Sequence, residues 1–289
     1  MHAQFRVIRG SGSKVSWLPA ALAGALLSFS LSSASAASDN EQTSAVWEKV
    51  RYGLFENQPI TVDTAGDVIK LETPVRAMDA AIVPVAIRSQ FQQSPERYIK
   101  KLWLVVDENP SPVGAEFTLS PDSGRADIET RIRIEAYTHV RALAQLNDGS
   151  VFMAANFVKA SGGCSAPAGK DLSAAMANMG RMKIRLNGDA VDGKPMLAQL
   201  MVSHPNVSGL AMDQLSRTYA PPHFVRHIEV SYGDKKVLEA NVDFSISENP
   251  NFRFWFTPDG EGELTANIVD SEDKAFSQSI TVRPGASSL

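Results

Sequence analysis

Short alternations of hydrophobic and polar residues recur along most of this chain. Ile69 to Thr73 alternates, Ile82 to Ile87 is β-branched, and Ile99 to Val106 is an apolar run closed by the turn-rich segment Asp107 to Pro112. Ala115 to Leu119 and Ile128 to Glu135 alternate cleanly. Val140 to Leu146 and Val151 to Lys159 flank the turn Asn147 to Ser150 and read as a hairpin. After Asn178 the same pattern resumes at Met182 to Leu186 and Pro195 to Val202. Phe224 to Tyr232 and Lys235 to Val242 make a second hairpin around Gly233-Asp234. Asn251 to Thr257, Gly262 to Val269 and Ala275 to Val282 close the series. The one strong helical spacing is Ala45 to Phe55, which predicts a short amphipathic helix turning Val46, Trp47, Val50 and Leu54 inward. Short strands at this spacing predict an all-β protein of β-sandwich type and argue against a Rossmann fold or a TIM barrel.

One segment interrupts the pattern. Ala160 to Asn178 is rich in glycine, alanine and serine, which is linker composition. The predicted organisation is a β-sandwich over 45–160, a cysteine-bearing linker over 161–179 and a second β-sandwich over 180–285. Residues 1–36 read as a signal peptide. Arg6, Arg9 and Lys14 give a basic start, Trp17 to Leu31 is apolar and small, and Ala34-Ser35-Ala36 offers a cleavage site. The apolar stretch is shorter than the roughly 20 residues of a spanning helix. The expectation is a soluble periplasmic protein without a membrane anchor.

The 289 residues are 44% hydrophobic and 21% charged, with a formal net charge of −4. That mild acidity argues against nucleic-acid binding, which needs a basic face. The single cysteine excludes an intrachain disulfide framework, cysteine-rich zinc folds and thiolate-held iron–sulfur clusters. No P-loop, dinucleotide fingerprint, G-x-S-x-G or H-E-x-x-H is present, so no cofactor is assigned.

Cys164 lies among residues with little or no side chain, from Ser161 to Gly169, so the sequence predicts an exposed thiol. Gly162 and Gly163 are read as giving the segment flexibility and letting a partner approach the sulfur. A thiolate attacks sulfur and disulfides to form covalent adducts. Lys159 and Lys170 are near only in sequence, and a catalytic nucleophile needs a base held in place. Cys164 is therefore read as a covalent attachment point, and no catalytic residue is assigned. A lone exposed thiol also permits a disulfide-linked dimer.

The remaining candidates are weaker. His204, His223 and His227 could together offer imidazole ligands, but their spacing matches no structural zinc pattern. They and His139 are read as structural or surface histidines, and no metal is assigned. Glu261, Glu263, Asp270, Glu272 and Asp273 lack the calcium-loop pattern and read as a solvated hairpin face. Alternation sends Phe252, Phe254 and Phe256 to the core and leaves Trp255 to cover a domain interface.

Several stretches carry a family resemblance. In the first half they are Ile82 to Ile87, Asn109 to Val113, Ser123 to Arg133, Asp148 to Ala154 and Gly162-Gly163-Cys164. These resemble SoxY, the carrier subunit of bacterial thiosulfate oxidation. In the second half, Val202 to Pro205, Ile246 to Pro250 and the Gly233-Asp234 hairpin resemble SoxZ. The fused order is similar to SoxYZ-like carriers associated with quinoprotein dehydrogenases. The resemblance implies two immunoglobulin-like β-sandwiches and a cysteine that carries sulfur intermediates between periplasmic redox enzymes. Those partners would be Sox-type enzymes or a PQQ-dependent alcohol dehydrogenase and its cytochrome. In SoxY the motif continues as Gly-Gly at the chain end; here Ser165-Ala166 follow and the chain runs on. Three functions are compared: a covalent carrier, a non-catalytic interaction module with Cys164 incidental, and a metallochaperone using Cys164 with His204 or His223. They are ranked in that order.

Overall fold

The structure is a computed structural model that describes residues 44–167, 172–212 and 217–285. The signal-peptide expectation over 1–36 and Lys170 lie outside the described residues. The first half contains helix α1 (Ala45–Phe55) and strands β1 (Ile60–Val62), β2 (Ile69–Glu72), β3 (Val83–Ser89) and β4 (Ile99–Val106). It continues with β5 (Val113–Leu119), β6 (Ile128–Ile132), β7 (Thr138–Leu146) and β8 (Val151–Val158). A short helix α2 (Leu172–Ala177) precedes β9 (Met182–Leu186), β10 (Met196–Val202), β11 (Val225–Tyr232) and β12 (Lys235–Val242). The last strands are β13 (Asn251–Phe256), β14 (Gly262–Asp270) and β15 (Ala275–Val282). No helix of the described residues is long and apolar enough to cross a membrane.

The protein is all-β, with two sheets packed face to face. One sheet has nine strands in the order β1-β8-β7-β4-β5-β12-β11-β14-β15, and the other has six in the order β2-β3-β6-β13-β10-β9. Both sheets run through both halves of the chain. β5 pairs antiparallel with β12, from Ala115↔Val242 to Leu119↔Leu238, and β6 meets β13 at Glu129↔Arg253. Strand alternation then feeds one continuous hydrophobic core from both halves, including Leu102, Phe117, Ile132, Leu200, Phe252, Phe254 and Ile268. Arg125 of the first half lies 5.5 Å over the Trp255 ring of the second, so Trp255 does cover a contact between halves.

Helix α1 forms where its spacing predicts. Ser44 caps it, its hydroxyl oxygen accepting from the Trp47 N–H at 2.9 Å and donating to Asp107 at 3.1 Å. The helix lays Trp47 and Phe55 on Trp103, Leu143 and Met153, on the outer side of the nine-stranded sheet. Beneath it, the fully buried Arg141 grips Asp107 bidentately at 2.8 and 2.6 Å, with its guanidinium 4.5 Å from the Trp47 ring.

Three differences from the sequence-based expectations have physical causes. Strand β1 is only three residues long and pairs parallel with β8, too short to show alternation. The linker composition hides α2, which buries no residue. The alternation of Ile128 to Glu135 outlasts its strand: β6 stops at Ile132, and Arg133 to Glu135 bond to loops instead.

Candidate functional site

The residues after β8 carry Gly162, Gly163 and Cys164, and they are packed into the protein. Cys164 has no solvent exposure, which corrects the expectation of an exposed thiol. Its segment is held by Arg133 to Glu135 on one side and by Ser208 on the other. Gly162 N–H donates to the Glu135 carbonyl and Gly163 N–H to the Ile134 carbonyl, both at 2.8 Å. The Glu135 carboxylate accepts from the Cys164 N–H at 2.9 Å and the Ser165 N–H at 3.1 Å, and from the Ser165 hydroxyl at 3.0 Å.

Gly163 meets a packing requirement here. A Cβ at that position would stand 2.0 Å from the Ala80 carbonyl oxygen and 2.8 Å from the Ile134 nitrogen. Only glycine lets the backbone lie that close. Gly162 differs: its φ is 81°, and a side chain there would meet nothing nearer than Ser165 Oγ at 4.0 Å.

Arg133 bridges the two halves at this point. It is 1% exposed; its Nη1 donates to the Gly163 carbonyl at 3.2 Å and its Nη2 to the Asn206 carbonyl at 3.3 Å. Its Nε has no hydrogen-bond partner among the described residues. Burial lowers its pKa. The Ser208 hydroxyl donates to the Cys164 carbonyl at 2.5 Å. Around the sulfur, burial and then the Glu135 carboxylate push the thiol pKa up to about 12, and Arg133 opposes them only in part. In this state Cys164 is a neutral thiol and a poor nucleophile.

The loop that supplies Asn206 and Ser208 is anchored by a buried cluster. His204 and His223 meet edge to face with ring centroids 4.9 Å apart. Asp270 Oδ2 stands 2.7 Å from His223 Nε2 and 3.6 Å from His204 Nε2. The second oxygen of Asp270 accepts the Glu272 and Lys274 N–H groups at 2.9 Å. Asp270 is thus fully buried, unlike the solvated acidic face predicted for its stretch. The ligand atoms of His204, His223 and Asp270 lie within 4.8 Å of one another, a geometry that could gather around a metal ion. The protonation pattern opposes that use. The Asn206 N–H donates to His204 Nδ1 at 3.1 Å, which puts the proton of the neutral ring on Nε2, the atom facing Asp270. A metal at Nε2 would need His204 to change tautomer and surrender that bond. The cluster is a buried latch in which His223 is hydrogen-bonded to Asp270, while His204 Nε2 faces the same carboxylate with no hydrogen-bond partner among the described residues. Burial, then the neighbouring His223, lower the His204 pKa to about 4. His227 sits apart on β11, its Nδ1 3.0 Å from Asn241, and His139 packs on Phe157.

With this geometry in place, the comparisons locate the chain. The model of sulfur oxidation protein SoxY matches residues 53–164, and that of sulphur oxidation protein SoxZ matches residues 184–281. The chain belongs to these two families and is a SoxY–SoxZ fusion. It is a carrier or interaction module of sulfur oxidation. No curated protein matches it. Solved structures that align with parts of it include a superoxide reductase (neelaredoxin) from Ignicoccus hospitalis, at 15% identity and TM-score 0.30 over 35% of this chain and 94% of that one. Red sea bream transglutaminase aligns at 9% identity and TM-score 0.25, over 82% of this chain and 33% of that one. A β-glycosidase from Bacteroides vulgatus aligns at 8% identity and TM-score 0.24, over 75% of this chain and 25% of that one. Scores this low say nothing about function.

Proposed function

We propose that this protein is a periplasmic covalent carrier that holds a sulfur-containing intermediate, or a related thioadduct, on Cys164 and presents it to partner enzymes. The observation that supports this reading is that the SoxY match ends on Cys164, the chain's one cysteine, within Gly162-Gly163-Cys164. The buried thiol is then the docked, resting state of the segment. Loading requires residues 161–167 to leave their seat, because a neutral thiol with a pKa of about 12 does not attack. Once released and ionised, the Cys164 thiolate attacks a sulfur of a donor S–S compound. The new S–S bond forms as the donor's S–S bond breaks, the donor thiolate leaves, and no external oxidant is consumed. Partners on this reading are periplasmic redox enzymes, either Sox-type or a PQQ-dependent alcohol dehydrogenase with its cytochrome. On this reading the isolated protein turns nothing over, because no base is hydrogen-bonded to the thiol among the described residues.

The burial of Cys164 favours one competing reading, a non-catalytic interaction module in which the thiol packs as a small hydrophobe. Intact mass of the protein purified from periplasm without reductant separates the two. A mass above the expected one, removed by reductant and absent in Cys164→Ser, identifies a loaded carrier. An unmodified thiol that resists loading by thiosulfate and tetrathionate even with periplasmic extract present to release the seat leaves the interaction module.

A further inference from the structure

We propose that the outer face of the six-stranded sheet is a docking surface for a partner protein that presents a cluster of carboxylates. Alternation along the strands fixes what this face carries. Core residues such as Ile87, Ile132, Phe252 and Ile184 point to the nine-stranded sheet, and their neighbours point outward. The outward positions bring together Lys70, Arg88, Arg131, Arg253, Lys183 and Arg185 against only two carboxylates, Glu72 and Glu129. The chain as a whole carries a net charge of −4. A face with six cations and two anions is therefore a local reversal of its sign, and such a patch steers association with surfaces of opposite charge.

The two carboxylates do not neutralise it. Glu129 pairs with Arg88 at 2.7 Å and with Arg253 at 3.1 Å, and Glu72 reaches Arg88 at 3.4 Å. Lys70, Arg131, Lys183 and Arg185 have no carboxylate within salt-bridge distance among the described residues. The outer face of the nine-stranded sheet differs: Lys101 pairs with Glu116, and Lys236 with Glu229 and Glu239. The face is also concave. A groove of about 500 Å³ and a second of about 310 Å³ share Arg131 and Asn251 as lining. An incoming surface rich in carboxylate oxygens supplies the opposite charge.

The spacing selects an extended occupant over a small one. From Arg88 on β3 to Arg185 on β9 the face crosses four strand spacings of about 4.8 Å each, roughly 19 Å in all. One small oxyanion cannot engage both ends. Nucleic acid is disfavoured by the acidity of the rest of the chain. Docking at this face does not depend on what Cys164 carries.

The test uses the full chain and a fluorescein-labelled oligo-glutamate peptide, read by anisotropy at about 0.01 M ionic strength, where the Debye length is about 30 Å. Three variants are compared with the unaltered protein. Arg131→Gln/Lys183→Gln/Arg185→Gln removes three charges from the face. Lys70→Gln/Lys183→Gln/Arg185→Gln does the same without touching half-buried Arg131, so a folding defect in the first does not decide the matter. Lys235→Gln/Lys236→Gln/Lys274→Gln removes three charges elsewhere. Saturable binding that weakens about tenfold in both face variants, and within about twofold in the third, is expected. Equal weakening in all three variants, or no saturable binding by the unaltered protein, overturns the proposal. So does displacement of the peptide by thiosulfate or phosphate beyond that by chloride at equal ionic strength, which would mark a small-oxyanion site. No arm of the experiment reads Cys164, so failure here leaves the carrier reading standing.

Discussion

The Ser208 hydroxyl, in the SoxZ-matching half, hydrogen-bonds the carbonyl of Cys164, the last residue of the SoxY match, at 2.5 Å across 44 residues of sequence. Ser208 sits on the loop that His204, His223 and Asp270 anchor, so the second half holds the cysteine of the first in its seat. Ser208→Ala leaves that carbonyl short of a donor and weakens the seat by about 1 kcal/mol. The expected outcome is native-state alkylation of Cys164 by iodoacetamide about fivefold faster, with little change in melting temperature. An unchanged labelling rate would show that Ser208 does not hold the seat.

Glu135 acts on the same segment through charge. Its carboxylate accepts from Cys164, and twice from Ser165, and it raises the thiol pKa after the larger effect of burial. Glu135→Gln keeps one acceptor oxygen and removes the charge. The thiol pKa is then expected to fall below about 12 while staying above that of a free cysteine, because burial remains. The pH dependence of the labelling rate measures it, and a profile identical to that of the unaltered protein would contradict the assignment.

Gly163→Ala tests whether the seat depends on close backbone packing. The added methyl would collide with the backbone carbonyl of Ala80, which is not free to swing aside as a side-chain tip is. The segment is expected to leave its seat, with Cys164 labelled more than about tenfold faster and a stability loss of roughly 1–2 kcal/mol, as overpacking typically causes. Gly162→Ala meets no such neighbour and carries only the cost of its positive φ. If the two variants label at the same rate, the packing argument fails.

Much of the fold was readable from the strand pattern, because one face of nearly every strand is buried and alternation reports that directly. β4, β9, β12 and β15 have the limits their apolar runs suggest, and α1 has the limits of its helical spacing. The seat of Cys164 was not readable. Gly163, Ser165 and Ala166 gave no sign that Arg133, some 30 residues earlier, and Ser208, 44 residues later, would hold this stretch of backbone in place. A charged Arg133 inside an alternating strand pattern was the available signal, since a fully buried guanidinium must meet acceptors somewhere. Asp270 was hidden for the opposite reason: it sits in a run of acidic residues of which Glu272 and Asp273 are solvated. The pairing of His204 with His223 depends on the return of the chain from β10 to β11, which local spacing does not encode.

The latch around His204 makes stability depend on pH in a defined window. Folded His204 has a pKa of about 4, against about 6.5 for a free imidazole. Between these values the unfolded chain binds a proton that the folded chain refuses, so stability is complete above about pH 6.5 and falls as pH drops toward 4. The loss is at most about 3.5 kcal/mol, since each pH unit between the two values is worth about 1.4 kcal/mol. The groups facing the ring are His223, Asp270 and, beyond His223, Glu272. Asp270 is itself held below its ordinary pKa by the His223 and backbone hydrogen bonds that outweigh its burial, so its own contribution is lost only at still lower pH. Urea unfolding measured at intervals from about pH 7 to 4 should therefore show a slope that His204→Gln flattens, because glutamine cannot take the proton. Since the same loop carries Ser208, acid should also loosen the seat of Cys164, seen as faster hydrogen exchange at residues 162–165 under mild acid after correction for intrinsic rates. An equal pH slope in the variant would mean that the acid sensitivity resides elsewhere and that His204 does not govern the latch.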